Sequence, residues 1–489
     1  MKIAFDFVCD EAPIFARIGQ RYVADGHEVY GLTMGRRWKS FWQQFPRTYP
    51  IDIQTDNRTD LRIELERLEK EYGSFQPASF LTADRFLSHF PRDEQSRALV
   101  NTFKAIENAF FREKPDYYFS TGIAYLYNLV TLAVCRRFRI PHLSLYSTRG
   151  SSPRFTVSLG KGGSWNLVDE EYKALQEGAA FSNEEYRAAK EYLENFRKKT
   201  EQPYYMKASY QAFRLKPVFI NEFLVRSRNW YLKGWGRKTG DYITQPPWWY
   251  ALRDLKKIIR AQWVMRRKEK IFDPVSSSDR YYLFPLHLQP EASTLVLSRW
   301  YVDQLDTIRN ISKTLPVDRL LYVKEHVSAL GRHSVEFYNE IKAIHNVRLI
   351  APDENTPELI CRSMGVIVLS STMGWEALLL NRPVYILGRV FYQHIKGAER
   401  ISHFEELAVR LATNRALETG AEKLGNDDDI IRFMIALRRQ SFEGNFNVAK
   451  MDLHKKVLQK ENIDKLYEGF NIILQRVTGV SPAINPDNL

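Results

Sequence analysis

Residues 281–392 alternate between short apolar runs and helical patterns, and each apolar run ends in a polar cluster. Apolar runs of this kind are typical of parallel strands whose two faces are both covered by helices. The predicted strands span residues 281–285, 319–324, 347–350, 365–369 and 383–387. Because ligands bind at the carboxyl ends of the strands in an open parallel sheet, the polar clusters are predicted to meet at one site.

A second region of the same kind begins at the N-terminus. Residues 2–8 and 27–33 are predicted strands on either side of a helix, and residues 116–121 and 140–146 are two further strands. A chain of 489 residues exceeds one ordinary core. The predicted fold class is therefore α/β, with two doubly wound parallel-sheet domains that face a cleft. The predicted domains are an N-terminal domain (1–200), a basic helical insertion or linker (201–280), a C-terminal doubly wound domain (281–425) and C-terminal helices with a loose tail (426–489).

Positive charge is concentrated in one segment. Residues 204–270 hold sixteen Lys/Arg and four Asp/Glu, a net charge of +12 out of +13 for the whole chain. Basic side chains among Trp and Tyr suit an anionic membrane surface, and a nucleic-acid surface would use similar residues. The residues predicted to contact the membrane or a membrane-bound acceptor are Arg226, Arg228, Trp230, Trp235, Trp248, Trp249, Arg266 and Arg267.

Two strand ends carry groups that suit an anionic ligand. Lys324 and His326 end the second strand of the C-terminal half, where a cation and an imidazole can hold a phosphate. A solvated strand end explains them equally well. Asp353 ends the next strand and is grouped with the same site.

The turn after the fourth strand of this half also suits an anion. Ser370, Ser371 and Thr372 precede Gly374, and free N–H groups at a helix start bind anions. Ordinary helix capping is the alternative. Glu376 in the first turn suits ribose hydroxyls, or a favourable interaction with the helix dipole.

The loop after the first strand of the half contains Gln289 and Glu291. Glu291 suits the role of a general base, and its alternative is a first-turn glutamate without a catalytic role.

Other classes of site are not supported. The histidines lack metal-ligand spacing, and no nucleophile elbow or P-loop is present. Residues 427–429 are three aspartates whose position favours a helix N-terminus over a metal motif. Three distant cysteines indicate a reducing compartment, and the N-terminal residues do not fit a signal peptide. Residues 117–135 resemble a membrane span, but a Ser-Thr-Gly break favours a buried strand, turn and helix.

Four segments together resemble the bacterial capsule polysaccharide biosynthesis family, which includes Kdo (3-deoxy-manno-octulosonic acid) transferases. They span residues 284–294, 322–326, 346–350 and 374–379. The resemblance implies a GT-B-like fold of two Rossmann-like domains and a glycosyltransferase that uses a nucleotide-sugar donor. The implied donor is CMP-Kdo, with no tightly bound cofactor or metal and a metal-independent, inverting reaction.

The resemblance also implies roles for individual residues. His326 is expected near the donor phosphate, and the hydroxyls of Ser371 and Thr372 near the phosphate or sugar carboxylate. Glu376 is expected to face the nucleotide, and Glu291 to lie in the cleft as a candidate base. Asp10 and its neighbour Glu11, after the first N-terminal strand, are rival bases on the acceptor side. The family usually has proline after the histidine, where this chain has Val327.

The leading hypothesis is a cytoplasmic glycosyltransferase, peripheral on the inner membrane, that transfers a sugar to a glycan or glycolipid acceptor of capsule or lipopolysaccharide. One alternative is another sugar-nucleotide enzyme of the same fold, either a UDP- or GDP-sugar transferase or an epimerase. A second alternative is a membrane- or nucleic-acid-binding module. Binding of nucleic acid is not expected, because no RNA-binding motif is present.

Overall fold

The computed structural model describes residues 1–36, 38–53, 60–73, 75–148, 153–160, 162–199, 223–225, 227–228, 230–231, 240–413, 427–446 and 456–477. The chain divides into two compact units. The first comprises residues 1–168, 224–247 and 437–489, and the second comprises 169–223 and 248–436. These bounds differ from those predicted from the sequence, because the helices at 169–199 and 248–280 belong with the second sheet.

The strands are β1 (Lys2–Asp6), β2 (Glu28–Thr33), β3 (Thr48–Pro50), β4 (Tyr117–Thr121), β5 (His142–Ser147), β6 (Arg154–Ser158), β7 (Tyr281–Pro285), β8 (Leu320–Lys324), β9 (Val347–Ile350), β10 (Gly365–Val368), β11 (Val384–Ile386), β12 (Ala398–Arg400) and β13 (Phe442–Glu443).

The helices are α1 (Ala12–Ala24), α2 (Lys39–Trp42), α3 (Leu61–Tyr72), α4 (Pro77–Thr82), α5 (Arg92–Glu113), α6 (Leu126–Arg137), α7 (Asn166–Gln176), α8 (Asn183–Lys199), α9 (Pro247–Arg266), α10 (Lys268–Ile271), α11 (Ala292–Leu295), α12 (Gln304–Thr314), α13 (Val335–Lys342), α14 (Thr356–Arg362), α15 (Met373–Leu379), α16 (Phe404–Thr413), α17 (Asp427–Arg439) and α18 (Lys460–Val477). Among these described helices, none is both long and apolar enough to cross a bilayer.

The sheet of the first unit has the order β13-β6-β5-β4-β1-β2-β3. Strands β1 to β5 pair in parallel, whereas β6 is antiparallel to both β5 and β13. The chain builds β2 and β3 on one side of β1 and then crosses to place β4 on the other side. The winding direction therefore reverses between β1 and β4, and such a point opens a crevice at the carboxyl edge of a sheet.

The sheet of the second unit is parallel throughout, with the order β12-β11-β10-β7-β8-β9. Its central strand β7 is buried at every position, which explains its uniformly apolar sequence. Strands β8 and β9 lie on one side of β7, and β10 to β12 on the other. The winding direction reverses between β7 and β10. The expectation of an α/β chain with two doubly wound sheets is confirmed.

One predicted helix is wrong. The apolar spacing of residues 294–313 predicts a single helix, but α11 ends at Leu295 and α12 begins at Gln304. The Asp303 side chain accepts a hydrogen bond from the Asp306 N–H at 3.0 Å, so a new helix is capped there. The prediction that the aspartates at 427–429 begin a helix is confirmed by α17.

Candidate functional site

The two strands at the reversal point of the second sheet are joined by His287 and Ser370. Nε2 of His287, just after β7, accepts a hydrogen bond from the Ser370 N–H at 3.2 Å, just after β10. The Gln304 side chain holds the backbone of His287 from both sides, at 2.7 and 3.1 Å. Since Nε2 is an acceptor, the proton of this neutral imidazole lies on Nδ1. Burial, with the nearby His326, lowers the pKa of His287 to about 3, so it stays uncharged.

Lys324 and Glu325, at the end of β8, are directed into the protein. The Lys324 ammonium is almost fully buried and donates to the Pro352 carbonyl oxygen at 2.8 Å. Burial lowers the pKa of Lys324 to about 8. The Glu325 carboxylate accepts a hydrogen bond from the Tyr338 hydroxyl at 2.6 Å, and burial raises its pKa to about 7. Lys324 thus connects β8 to the loop after β9, and Glu325 connects it to α13.

His326 presents a hydrogen-bond donor at the edge of the sheet. Its Nδ1 accepts from the Ser328 N–H at 3.1 Å, so the proton of the neutral ring lies on Nε2. Burial lowers the pKa of His326 to about 4, and the cations Lys324, Lys257 and Arg332 lower it further. The residue is only partly exposed. It therefore offers a neutral N–H in a positive environment, which suits a phosphate oxygen.

The loop after His326 packs against α9 through Gly331. Gly331 has a φ of +82°, and a Cβ there would lie 2.2 Å from the Lys257 carbonyl oxygen. A side chain is excluded both by the left-handed backbone and by this close approach. The contact brings Lys257 of α9 and Arg332 of the loop into the electrostatic environment of His326. Burial and Arg332 together lower the pKa of Lys257.

The Ser-Ser-Thr turn is a tightly bonded junction. The Ser370 hydroxyl donates to the Ser293 carbonyl oxygen at 2.6 Å, and the Ser371 hydroxyl accepts from the Met373 N–H at 3.1 Å. The side chain of Thr372, the residue before α15, makes no cap hydrogen bond. The hydroxyl of Ser371 therefore has the capping role that was the alternative to anion binding, while Thr372 remains partly exposed.

Gly374 follows this turn because a side chain has no space there. A Cβ at Gly374 would lie 2.2 Å from the Tyr392 hydroxyl, which donates to the Ser371 carbonyl oxygen at 2.5 Å. Glu376, one position after Trp375, is partly exposed. Burial raises the pKa values of Tyr192 and Tyr392, and the negative charge of Glu376 adds to both shifts, so Glu376 lies near α8 and the loop after β11.

The remaining predicted residues of this edge have different environments. The Gln289 side chain donates to the Val302 carbonyl oxygen at 2.5 Å, and Arg332 donates to the Gln289 carbonyl oxygen at 3.4 Å. Glu291 directly precedes α11 and is partly exposed. Asp353 is exposed and forms an ion pair with Lys268 at 2.8 Å. The Gln289 backbone is thereby linked by a hydrogen bond to the loop after His326.

The reversal point of the first sheet holds the buried Asp6 and the partly exposed Glu11. The Asp6 carboxylate is fully buried at the end of β1 and accepts hydrogen bonds from the Val8 N–H at 2.8 Å and the Tyr127 hydroxyl at 3.1 Å. Burial raises the pKa of Asp6 to about 6. Burial likewise raises the pKa of Glu11 to about 7, and the negative charge of Asp6 adds to this effect. Asp10, between them in sequence, is exposed.

The second unit matches a known protein family. Residues 236–412 match the family model described as Capsule polysaccharide biosynthesis protein. This segment belongs to the capsule polysaccharide biosynthesis family. The resemblance read from the sequence is confirmed, and the family segment contains α9, all strands of the second sheet and every site residue described in the second unit.

Solved structures with a similar arrangement share low sequence identity with this chain. Thermosulfurimonas dismutans KpsC, a β-Kdo 2,4 transferase, is 14% identical with a TM-score of 0.36, over 71% of this chain and 88% of that chain. A β-Kdo 2,7 transferase KpsC from the same organism is 11% identical with a TM-score of 0.33, over 76% and 89%. Methanocaldococcus jannaschii UDP-GlcNAc 2-epimerase is 12% identical with a TM-score of 0.28, over 90% and 100%. No curated protein matches the chain.

The predicted membrane residues of this chain are only partly described. Arg226 and Trp235 lie outside the described residues. Arg228, Trp248, Arg266 and Arg267 are exposed, while Trp230 and Trp249 are partly exposed. Among the described residues, no group of His, Cys, Asp or Glu has the arrangement of a metal site.

Sequence reasoning missed three residues near His326. Lys257 is far from His326 in sequence, Arg332 lies in a predicted loop, and His287 has no metal-ligand spacing around it. Gly331 was the available sequence signal for this contact. A glycine there indicates an unusual backbone conformation, but it does not show which helix or strand packs against it. Lys257 lies in the basic segment, and nothing in the sequence distinguishes this inward-facing lysine from its exposed neighbours.

Proposed function

We propose that this capsule polysaccharide biosynthesis protein is a glycosyltransferase that binds its nucleotide-sugar donor at the carboxyl edge of the second sheet. The observation that supports this most is the neutral Nε2–H of His326 beside the cations Lys257 and Arg332. A hydrogen-bond donor next to two cations suits the phosphate that leaves with the nucleotide, because its negative charge increases as the glycosidic bond breaks.

The other predicted residues have supporting roles in this proposal. Ser371, Thr372 and Glu376 line the neighbouring turn and its helix, where they would contact the sugar carboxylate and the ribose. Lys324 holds the strand ends through Pro352 and positions His326 rather than contacting phosphate. The proposed donor is CMP-Kdo, and the proposed acceptor is a glycan or lipid-linked saccharide at the membrane. Metal independence and an inverting course remain predictions.

A base that accepts the proton of the acceptor hydroxyl would complete the reaction. The candidates are Glu291 in the second unit and Asp10 and Glu11 in the first. Glu11 is favoured because its raised pKa of about 7 matches a group that exchanges protons near neutral pH. We expect Glu11→Gln to lower kcat by about 10²-fold or more while nucleotide affinity is unchanged. Asp10→Asn and Glu291→Gln are the matched comparisons, and an equal loss in Asp10→Asn alone would move the role to Asp10.

Thermal unfolding of the purified protein with CMP, UDP, GDP and their sugar conjugates, without added metal, tests the donor. A ligand at 100 times its Kd stabilises the folded protein by about 2.7 kcal/mol. Stabilisation by CMP and CMP-Kdo alone supports the proposal, whereas stabilisation by UDP or GDP alone changes the donor. Turnover of a nucleotide sugar without any acceptor would instead indicate an epimerase. The absence of stabilisation by every nucleotide would reject the proposal.

A further inference from the structure

Helix α9 carries an apolar stripe on its outer face. Five large side chains occur at spacings of three and four residues, which places them along one side of a helix. Their exposed fractions are 58% for Trp248, 52% for Leu252, 45% for Leu255, 58% for Ile259 and 37% for Trp263. Single exposed apolar residues are ordinary, but a continuous row of this length marks a contact surface.

The opposite face of α9 is packed against the second unit, which keeps the stripe on the outside. Ile258, Ala261 and Val264 are buried, and the last two belong to the core cluster of the second unit. Lys257 lies on the same inner side, where the Gly331 loop contacts the helix backbone. Because the inner face is packed, α9 cannot rotate to cover the stripe without losing core contacts.

Positive charge accompanies the stripe. Helix α9 contains five Lys/Arg residues and one aspartate. Lys256 and Arg260 are exposed along one flank of the stripe, and exposed Arg266 continues it beyond Trp263. The Arg267 guanidinium lies 4.3 Å from the centre of the Trp263 ring. An apolar row with aromatic residues at both ends and cations beside it matches the boundary between acyl chains and anionic head groups.

We propose that the outer face of α9 is a membrane-docking surface that lies in the plane of an anionic bilayer. The five stripe residues would insert at the level of the acyl boundary, about 5–10 Å into the interface, and the flanking cations would contact lipid phosphates. This inference rests on the proposed function for the identity of the acceptor, but the docking surface itself does not depend on the donor.

Other occupants fit this face less well. A second copy would bring the Lys256 and Arg260 side chains of two helices close together, and such like-charge contacts oppose association. Nucleic acid would be contacted through phosphates and stacked bases, whereas the centre of the stripe is aliphatic at Leu252, Leu255 and Ile259. Lipid is the partner that uses both the aliphatic centre and the cations.

Docking through this face would place the proposed donor site near the membrane. Lys257 is on the inner side of the helix whose outer side is proposed to enter the lipid interface, so the two surfaces are separated by the width of one helix, about 10 Å. A saccharide carried on a lipid would then be within reach of the site while its lipid remains in the bilayer.

Co-sedimentation of the full chain with vesicles tests the proposal. The probes are vesicles of phosphatidylcholine alone and of phosphatidylcholine mixed with phosphatidylglycerol. The test variant is Leu255→Glu combined with Ile259→Glu. The matched control is Val317→Glu combined with Val409→Glu, because these residues are 85% and 61% exposed and the change in charge is the same. The thermal unfolding midpoint of each variant without ligand checks that the second unit is folded.

The wild type and the control are expected to bind the anionic vesicles, with weaker binding at high salt. The test variant is expected to bind at least about tenfold more weakly, since two apolar side chains no longer leave water and two new negative charges face the lipid. Equal binding by the test variant and the control, or no binding by the wild type, would overturn the proposal. So would a wild-type dimer that the test variant dissociates. Nucleotide stabilisation tests the proposed function separately, so either conclusion can fail alone.

Discussion

His326 offers a sharp test because its two ring nitrogens have different roles. Nδ1 accepts from the Ser328 N–H at 3.1 Å, while Nε2–H is the group proposed to bind phosphate. In His326→Asn, the amide oxygen can replace Nδ1 as the acceptor, but no donor replaces Nε2–H. In His326→Gln, the amide nitrogen can reach the Nε2 position, but the hydrogen bond from Ser328 is lost. The two variants therefore separate ligand binding from loop stability.

The expected losses of affinity and stability follow from the hydrogen bond that each variant removes. A hydrogen bond to a charged group contributes about 1.5–3 kcal/mol, so His326→Asn is expected to bind nucleotide about 10- to 150-fold more weakly. Its free energy of unfolding should stay close to that of the wild type. His326→Gln is expected to retain more of the affinity and to lose about 1 kcal/mol of stability, as for other lost caps.

Titration calorimetry with the nucleotide found by thermal unfolding measures the affinities, and urea unfolding measures the stabilities. The reasoning would be refuted if His326→Asn bound nucleotide within twofold of the wild type. It would also be refuted if His326→Asn bound more tightly than His326→Gln, because then the imidazole would act through the loop and not through its donor.

Three further predictions concern the same edge of the second sheet. The folded pKa of His326, about 4, lies below its ordinary value, so the unfolded chain binds the proton first. The free energy of unfolding, measured with urea, should then fall as pH decreases from about 6.5 to about 4. In His326→Asn this dependence on pH should be shallower by up to about 1.4 kcal/mol per pH unit. Gly374→Ala should cost about 1–3 kcal/mol in the same assay, and adding Tyr392→Phe should restore only part, because the ring carbon Cζ would still lie 2.8 Å from the new Cβ. Calorimetry at two salt concentrations should show that Lys257→Met weakens both nucleotide binding and its salt dependence. Lys324→Met should lower stability but leave nucleotide affinity within twofold of the wild type. The reverse pattern would assign the phosphate contact to Lys324.

The sequence was sufficient to predict the central parallel strands of both sheets and the polar residues that follow them at the carboxyl edge. Strands β7 and β10 are buried at every position, and β8 and β9 at all positions but one, which produces mainly apolar runs. This signal is local in the chain. The helix predicted over residues 294–313 failed because its apolar spacing continues across the cap at Asp303. The antiparallel strands β6 and β13 and the three-residue edge strands β3 and β12 were not predicted either, since short or non-local pairing leaves no local pattern.

Individual site residues were harder to predict, because residue type does not give side-chain direction. Lys324 and His326 are two residues apart, yet the first is buried against Pro352 and the second is directed to the edge of the sheet. Asp353 was grouped with the site by its position after β9, but it pairs with Lys268. Lys257 became a candidate only when the fold brought α9 against the loop after His326.

The contact between Gly331 and the backbone of α9 couples the evolution of these two segments. A new methyl group at Gly331 would lie 2.2 Å from a main-chain oxygen, so neither side can be remodelled by exchanging side chains alone. Segments about 70 residues apart in sequence therefore form one structural module. A chimaera that takes α9 from a relative should fold well only if the loop that contains Gly331 comes from the same parent.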